Sequence, residues 1–395
     1  MSEWKEYKLG DIAKIKGGKR LPKGENLTEI PTNHPYIRTR DINNCKIAVD
    51  ELLFVPENVF PSIYRYIVEN QDIILSIVGT IGLCAIIPLE LHNASLTENC
   101  AKLVNLKEEI VNRRFLFYYF ISPDGQEEIE VRNVGSTQPK LPLYNIKDIP
   151  VLLPPLPEQR AIASVLSSLD DKIDLLHREN KTLEAMAEAL FRQWFIEEAN
   201  DGWEEVPLGN SDLAKIIKSG IDYFEGEKIY LATGDIENTD IRGGTSITFK
   251  NRPSRANMKP VIHSVWFAKK GGVRKLLMFD DYSYDLNNLI LSTGFTGLKT
   301  TNLSHYYIWC YIMSTEFQEI KDSFVSGTVQ PDINNEGVNQ IMVPRPDNKT
   351  LLRFNEIVKE FFFKISFNQR QIRTLEKLRD TLLPKLMSGE VRVAI

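Results

Sequence analysis

The sequence predicts a mixed fold of the α/β (α+β) class, in which two similar globular domains are separated by two long helices forming an antiparallel coiled coil. Three observations predict it: blocks of sequence recur in order about 200 residues apart, two segments carry a seven-residue apolar period, and short β-branched runs are bounded by Gly, Pro and Asn. The predicted parts are a first globular domain, 1–152; a first helix, 153–200; a second globular domain, 201–346; and a second helix, 347–395.

The composition is that of an ordinary globular protein with more than one core. The 395 residues are 43% hydrophobic and 26% charged. No uncharged apolar run approaches the roughly 20 residues of a membrane-spanning helix, and the first ten residues lack the features of a signal peptide. The four cysteines are far apart in the sequence and suggest neither a disulfide framework nor a zinc site. We therefore expect a cytoplasmic protein.

The globular domains are predicted to be copies of each other. "EWKEYKLGDIAKIKGG" aligns with "GWEEVPLGNSDLAKIIKSG", and "PYIRTRDI" aligns with "IYLATGDI". Further on, "VGSTQPKL" aligns with "VSGTVQPDI", which brings Gln138 onto Gln330 at an offset of 192. Because a chance match would not keep its order through successive blocks, the pattern indicates an internal duplication with pseudo-twofold symmetry.

The middle of each domain is predicted to contain short strands beside short helices. "DIILSIVGTIGLCAIIP", from Asp72, has the pattern of an apolar β run with Gly turns, and "NNLILSTGFTGLKTTN", from Asn287, is expected to correspond to it loosely. "NRRFLFYYFISPDGQEEIEVRN", from Asn112, has helical patches. The pattern does not determine the order of the strands.

Each long segment has a helical face with the seam of a coiled coil. Most seam positions are apolar, but each segment places one asparagine there. The predicted rows are Ile162, Leu169, Leu176, Leu183, Leu190 with Leu166, Ile173, Asn180, Ala187, Trp194 in the first segment, and Phe354, Phe361, Asn368, Leu375, Leu382 with Val358, Ile365, Ile372, Arg379, Leu386 in the second.

The two seams are predicted to pair with each other in the antiparallel sense. Pairing Asn180 with Asn368 sets the register and places Arg379 opposite Leu169, next to Asp170. Charge agrees, because residues 151–200 carry 5 basic and 9 acidic side chains (net −4) whereas 347–395 carry 10 and 6 (net +4). The alternative is that each helix packs only on its own globular domain.

With these parts in place, the sequence resembles the specificity subunits of type I restriction-modification systems over essentially its whole length. The segments that carry the resemblance are "PLPEQRAIASVLSSLDDKIDLLHREN" from Pro155, "LLPKLMSGEVRV" from Leu382, "WKEYKLGDIAKIKGGK" from Trp4 and "DIILSIVGTIG" from Asp72. The resemblance implies that each globular domain is a target-recognition domain reading one half of a bipartite double-stranded DNA site. It also implies that the helices act as a ruler for the unspecified spacer.

The same resemblance implies partners that perform the chemistry. Two modification subunits would bind S-adenosylmethionine and methylate adenine, and restriction subunits would act as motor nucleases. The chain itself would be non-catalytic and hold no cofactor. In agreement, the sequence lacks an Asn/Asp-Pro-Pro-aromatic loop and a P-loop, and its five histidines stand apart from one another and from the cysteines, so no catalytic or metal site is predicted.

Contacts to DNA are expected from two basic stretches, although the net charge of the chain is −5. Residues 242–275 contain nine Lys or Arg and no acid, and 13–24 form a shorter acid-free stretch. The predicted contacts are Lys16, Lys19, Arg20, Arg38, Arg40 and Gln138 in the first domain, and Arg252, Arg255, Lys269, Lys270, Arg274, Lys275 and Gln330 in the second.

Two pairs of matched residues have structural and functional interpretations. Asp41 and Asp235 could accept a hydrogen bond from a cytosine amino group, but capping of a turn is favoured. Trp4 and Trp203 are predicted to be core anchors. The alternative function for the whole chain is a non-catalytic scaffold whose globular domains bind other proteins.

Overall fold

The computed structural model describes residues 4–283, 285–325 and 332–393, and it divides into two compact units. Unit 1 comprises Met1–Asp174 with Arg373–Ile395, and unit 2 comprises Leu175–Ile372. The division falls within both long helices, so that each unit contains one part of each helix. Within the described residues, no helix has the length and apolarity that crossing a membrane requires.

Unit 1 is built on short strands arranged in four small sheets. The strands are β1 Lys5–Lys8, β2 Lys14–Gly17, β3 Pro35–Ile37, β4 Ile42–Asn43, β5 Lys46–Ile47, β6 Leu53–Phe54, β7 Ile73–Ser76, β8 Cys84–Ile86, β9 Ser95–Leu96, β10 Cys100–Val104 and β11 Pro150–Leu153. The sheet orders are β2-β10-β7-β8, β6-β3-β9, β1-β11 and β4-β5, and β3 pairs with β9 in parallel. Every residue of β7 and β10 is buried, which explains their nearly continuous apolar sequences.

The helices of unit 1 are α1 Leu9–Ile12, α2 Arg113–Ile121, α3 Pro123–Glu130, α4 Leu143–Lys147 and the first part of α5 Leu156–Arg192. Asn112 caps α2 by accepting a hydrogen bond from the Phe115 amide, and the aromatic side chains of α2 pack in the core.

The "PLPEQ" segment holds the start of α5 to the rest of unit 1. The buried Gln159 side chain accepts a hydrogen bond from the Asn112 amide at 2.8 Å and donates to the carbonyls of Ile110 and Pro154 at 2.9 and 2.8 Å. The neighbouring Glu158 is also buried and forms a bidentate ion pair with Arg392, in which Nη2 lies 2.6 Å from Oε2. Gln159 and Glu158 therefore hold the start of α5 against other segments of unit 1.

Unit 2 repeats the arrangement of unit 1. Its strands are β12 Glu204–Pro207, β13 Ala214–Ile216, β14 Lys228–Leu231, β15 Ile236–Glu237, β16 Asp240–Ile241, β17 Thr245–Ile247, β18 Ala256–Met258, β19 Ser264–Ala268, β20 Leu276–Phe279, β21 Leu289–Ser292, β22 Phe295–Thr300 and β23 Met342–Arg345. The sheet orders are β13-β22-β19-β20, β17-β14-β21-β18, β12-β23 and β15-β16. Its helices are α6 His305–Met313, α7 Thr315–Ser323, α8 Asn335–Gln340, the second part of α5 and the first part of α9 Asn348–Met387, whose remaining part, from Arg373, belongs to unit 1.

The structure corrects the expected correspondence between the middles of the two domains. By position in its sheet, β7 of "DIILS" matches β19 of "SVWFA", whereas the "LILS" run of unit 2 forms β21 and matches β9. The expectation was wrong because short buried strands share one β-branched, Gly-bounded pattern, and only the pairing partner distinguishes one strand from another.

The long helices pair in the antiparallel sense, as predicted. In unit 2, the Asn368 side chain donates to the Asn180 carbonyl oxygen at 2.9 Å, and the rings of Trp194 and Phe354 lie 6.0 Å apart. In unit 1, Arg379 donates to Asp170 at 3.0 Å, in the predicted contact. The partner's residue number falls as the residue number rises, which is the signature of antiparallel helices.

Both seams are largely buried, but the two helices end differently. Buried seam residues include Ile162, Leu166, Leu176, Phe354, Val358 and Leu386. A π-helical turn, Gln193–Glu197, follows α5, whereas α9 continues through Pro384 to Met387. Phe362 is more buried than the predicted seam residue Phe361 because it packs against Tyr306 and Trp309 of α6.

Candidate nucleic-acid interface

One edge of unit 1 collects basic side chains where β3 and β9 end together. The two strands are parallel, and the Thr97 amide donates to the Ile37 carbonyl at 3.0 Å just past the pairing. The loop after β2 crosses this edge, because the Lys19 amide donates to the Leu96 carbonyl at 2.8 Å. The edge therefore brings together Lys19, Arg20, Arg38 and Arg40.

A glycine allows the loop to approach the edge so closely. A Cβ on Gly18 would collide with the backbone carbonyl oxygens of Leu96 and Thr97. Gly18 is thus required by the close passage of the backbone, and it sets the position of the next two residues, Lys19 and Arg20.

The four basic side chains at this edge differ in their contacts. Arg38 forms a bidentate pair with Asp41, with Nε to Oδ2 at 2.9 Å and Nη2 to Oδ1 at 2.7 Å. The side chains of Arg20 and Arg40 are 78% and 73% exposed, although Arg20 also pairs with Glu98. Lys19 is exposed and its ammonium lies 5.9 Å from the centroid of the Tyr66 ring. Lys19, Arg20 and Arg40 can therefore reach phosphates, whereas the Arg38 guanidinium is already paired with the Asp41 carboxylate.

The other two predicted residues of unit 1 lie on separate elements. Lys16 is an exposed residue of β2, opposite Lys102 of β10. Gln138 is exposed in a loop closed by the bridge between Val134 and Lys140, which packs beside the end of β7.

In unit 2 the predicted residues converge from two loops. The Thr293 amide donates to the Arg255 carbonyl at 2.9 Å, and the Lys269 amide donates to the Gly294 carbonyl at 2.9 Å. The turn between β21 and β22 thus joins the loop before β18 to the loop between β19 and β20. These loops carry Arg252, Arg255, Lys269, Lys270, Arg274 and Lys275.

Two cations on the loop between β19 and β20 donate hydrogen bonds within unit 2. Arg274 donates to the Met313 carbonyl at 3.0 Å, and Lys275 donates to the Thr233 carbonyl at 2.7 Å. Burial lowers the pKa of Lys269, although the charge of Asp332 opposes this shift. The exposed side chains of Arg255 and Lys270 are therefore better placed for phosphates.

Aromatic residues beside the cations were not singled out in the sequence. The Arg252 guanidinium lies 3.8 Å from the centroid of the Phe249 ring, which makes a close cation–π contact, and its Nη1 donates to the Phe249 carbonyl. A signal is present in the sequence as "TFKNR", from Thr248, and "YRY", from Tyr64, where aromatic and basic residues lie side by side between strands.

The matched acids cap turns, as predicted. Asp41 accepts a hydrogen bond from the Arg38 amide at 2.7 Å, and Asp235 accepts one from the Ala232 amide at 2.7 Å. Trp4 and Trp203 also pack against the cores of their units, which confirms the prediction that they are core anchors.

Gln330, the predicted counterpart of Gln138, lies outside the described residues. The next described residue, Asp332, bridges to Lys270, and the Ile333 amide donates to the Lys269 carbonyl at 3.0 Å. In the part of the chain that the structure describes, no cluster of three or more His, Cys, Asp or Glu is arranged to hold a metal ion.

Comparisons with known proteins agree with this architecture. Residues 1–185 match the family described as the type I restriction modification DNA specificity domain. The chain is 28% identical to the type I restriction enzyme MjaIX specificity subunit of Methanocaldococcus jannaschii, over 99% of this chain and 94% of that protein. It is 21% identical to the HindI specificity subunit of Haemophilus influenzae, over 99% of this chain and 100% of that protein.

A solved structure shares the fold. The S subunit of a type I restriction-modification system from M. genitalium superposes with a TM-score of 0.59 at 18% identity, covering 98% of this chain and 96% of that one. The resemblance of this chain to the specificity subunits of type I restriction-modification systems is therefore confirmed.

Proposed function

We propose that this chain is the sequence-specific DNA-binding specificity subunit of a type I restriction-modification complex, and that it acts in the cytoplasm. The observation that carries the proposal is the repeat: each sheet of unit 1 has a counterpart of matching strand order in unit 2, where one sheet gains the extra strand β18, yet the exposed cations of the two units lie on different loops. One scaffold with two different loop surfaces suits the reading of two different half-sites.

The paired helices support the spacer part of the proposal. Each unit contains one part of α5 and one part of α9, and the asparagine pair specifies one register for the two helices. In this proposal, the specified register of the helices sets a constant length for the unspecified spacer between the half-sites.

The chemistry belongs to partners in this proposal. The chain is non-catalytic, and two modification subunits that bind S-adenosylmethionine dock on it, together with restriction subunits in the full complex. The names of the relatives as specificity subunits support this division of labour.

The test is selection of bound sequences from random duplex DNA, using the full chain with and without a co-expressed adenine methyltransferase subunit. We expect binding with the partner, and enriched sequences with two specified half-sites separated by a spacer of constant length. A single contiguous site would contradict the two-domain proposal. A stable protein complex that retains no DNA would favour the scaffold function instead.

A second experiment tests the ruler. One heptad is inserted into each long helix beside Asn180 and Asn368, which preserves the phase of the seam. We expect the selected spacer to lengthen while both half-sites stay unchanged. An unchanged spacer would show that the helices do not set it. A matched control inserts the same heptad after Glu109, in an exposed turn between β10 and α2 of unit 1, and should leave the spacer unchanged.

A further inference from the structure

Unit 2 contains a cavity of about 350 Å³ beside the basic loops. It lies between the loop 221–228, the start of β14, the segment before β19 and the segment 286–290. Small-molecule sites commonly have volumes of about 300–1,000 Å³, so the cavity is large enough for one nucleotide-sized group.

The floor of the cavity is apolar. Phe224, Pro260, Leu289 and Ile290 line it, and Ile290 belongs to the buried cluster beneath it. Such a floor favours the face of a flat, uncharged ring, because ring and floor both lose contact with water.

Two cations, Lys228 and Lys259, and one carboxylate, Asp222, line the rim of the cavity. Lys228 donates to the Asn287 carbonyl at 2.6 Å, and Lys259 forms an ion pair with Asp222 at 2.7 Å. An ammonium has three N–H donors, so the Asn287 contact leaves Lys228 with donors for an anionic group. An apolar floor beneath cationic groups matches the two parts of a nucleotide, a base and a phosphate.

An exposed aromatic ring completes the rim. Tyr223 is 67% exposed, and its ring meets the Phe249 ring edge-on at 5.1 Å. Phe249 also contacts Phe224 at 5.6 Å and carries the Arg252 guanidinium on its face. Tyr223 thus packs against Phe249 while its ring remains in solvent, as expected of a platform on which a base stacks.

We propose that this cavity binds one unstacked nucleotide of the bound DNA, with its base on Tyr223 and the apolar floor and its phosphate beside Lys228 and Lys259. The inference rests on the proposed DNA-binding function and adds to it a site for a base that has left the stack. Such a site reads the base by shape and stacking, in addition to contacts made in a groove. A free nucleotide has the same chemistry, and the experiment separates the two sources.

The experiment measures affinities of the full chain, purified with its methyltransferase partner, for the duplex obtained by selection. A series of duplexes carries a single unpaired nucleotide at successive positions across the site. We expect at least one position in a half-site to bind about tenfold tighter than the fully paired duplex, because the unpaired base enters the cavity without the cost of leaving a stack.

Two variants test the assignment of the cavity. Tyr223→Ala should reduce the advantage of the unpaired nucleotide about fivefold or more, the loss expected for one base–aromatic stack. Lys228→Ala should lower the salt slope of the same complex by about one unit. Tyr144→Ala is the matched control, since Tyr144 is 65% exposed but lies in unit 1, and it should leave the advantage unchanged.

Each outcome has one interpretation. If no unpaired position gains more than about twofold while the paired duplex still binds, the cavity proposal is overturned and the proposed function stands. If deoxynucleoside monophosphates bind in a Tyr223-dependent manner without an advantage for unpaired duplexes, the ligand is a free nucleotide and the proposal is also overturned. If the complex binds no duplex, the proposed function fails together with the inference.

Discussion

The connection between β7 and β8 in unit 1 and that between β19 and β20 in unit 2 are equivalent loops with opposite chemistry. The strands around them have the same register, since Leu75 pairs with Cys84 and Phe267 pairs with Leu276. The loop of unit 1 reads "IVGTIGL", whereas that of unit 2 reads "KKGGVRK". The strand pairing is therefore maintained while the charge of the connecting loop changes completely.

The loop after the second strand of each unit shows the reverse difference. In unit 1 it carries Lys19, Arg20 and Lys23, whereas the matching loop of unit 2, "KSGIDYFEG", has one lysine and two aromatic residues. Each unit thus presents cations from a different part of the same scaffold. Because base readout depends on which side chains reach the groove, two units of one fold can read different sequences.

The cores of the two units also differ at one matched pair. In unit 1 Ile74 lies opposite Lys102, whereas in unit 2 Trp266 lies opposite Gly297. A Cβ on Gly297 would collide with the Trp266 ring, so the indole occupies space that the glycine leaves open. In unit 2 the large Trp266 side chain is thus accommodated by a glycine on the paired strand, and the strand register is the same as in unit 1.

Substitution of the buried Trp266 should change the stability of the protein more than any other variant considered. Trp266→Ala should destabilise unit 2 by about 3–5 kcal/mol, because a fully buried indole is lost and Gly297 cannot fill the cavity. Hydrogen exchange, followed separately in each unit, measures the change. The control Ile74→Val in unit 1 should cost only about 0.5–1.5 kcal/mol. Equal losses for the two variants would contradict the proposed difference in packing.

A smaller effect is expected from an ion pair of unit 1 that has no counterpart in unit 2. Glu158 is buried against Arg392, whereas the matching position, 192 residues later, is Thr350. Arg392→Ala should destabilise unit 1 by about 2 kcal/mol, since a carboxylate loses its charged donors. Urea unfolding monitored by hydrogen exchange should show the loss in unit 1 only. An equal loss in both units would mean that the pair acts beyond unit 1.

The exposed cations of the two sets of loops should contribute to DNA binding, whereas the paired Arg38 should not. Replacing Arg255 and Lys270 with Ala should weaken binding about tenfold, or about 1.4 kcal/mol, and lower the salt slope by about two units. Replacing Lys19 and Arg40 in unit 1 should have a similar effect. Arg38→Ala is the control, because its guanidinium already pairs with Asp41. DNA-binding constants measured over a series of salt concentrations test all three variants. An unchanged salt slope would show that the substituted loop does not contact DNA.

The smallest effect concerns pH. Burial, aided by the nearby His263, lowers the pKa of His305 from 6.5 to about 3, whereas α2 of unit 1 begins with Arg113 at the matching position. His305 is neutral in the folded unit and becomes protonated on unfolding below pH 6.5. Its contribution to stability is therefore present above pH 6.5 and is lost as the pH falls toward 3.

From pH 7 to about 5.5, unit 2 should lose about 1 kcal/mol through this residue. Urea unfolding at both pH values measures the loss, and His305→Gln should remove it. The Thr300 hydroxyl forms a hydrogen bond with Nδ1 of His305 at 2.8 Å. The neighbouring His263 pairs with Asp281 at 3.3 Å, so His263→Gln is the control for that pair. If the stability of the His305→Gln variant still falls between these pH values, another titratable group causes the pH dependence.

The duplication and the pairing of the helices could be predicted from the amino-acid sequence alone. Both are long periodic patterns in which many residues agree, so that one exception such as Arg379 does not disturb the interpretation. Asn180 and Asn368 lie on different seam rows of their helices, which was sufficient to predict an antiparallel register, because a buried amide is normally hydrogen-bonded.

The folded structure was needed to show which strands correspond and which cations remain exposed. Strand identity depends on hydrogen-bond partners distant in sequence, and the patterns of β7 and β21 are too similar to separate. Arg38 and Arg255 look equivalent as residues in basic loops, but Asp41 engages one and not the other. The cavity beside Tyr223 was also not predictable, because it is enclosed by four segments that only folding brings together.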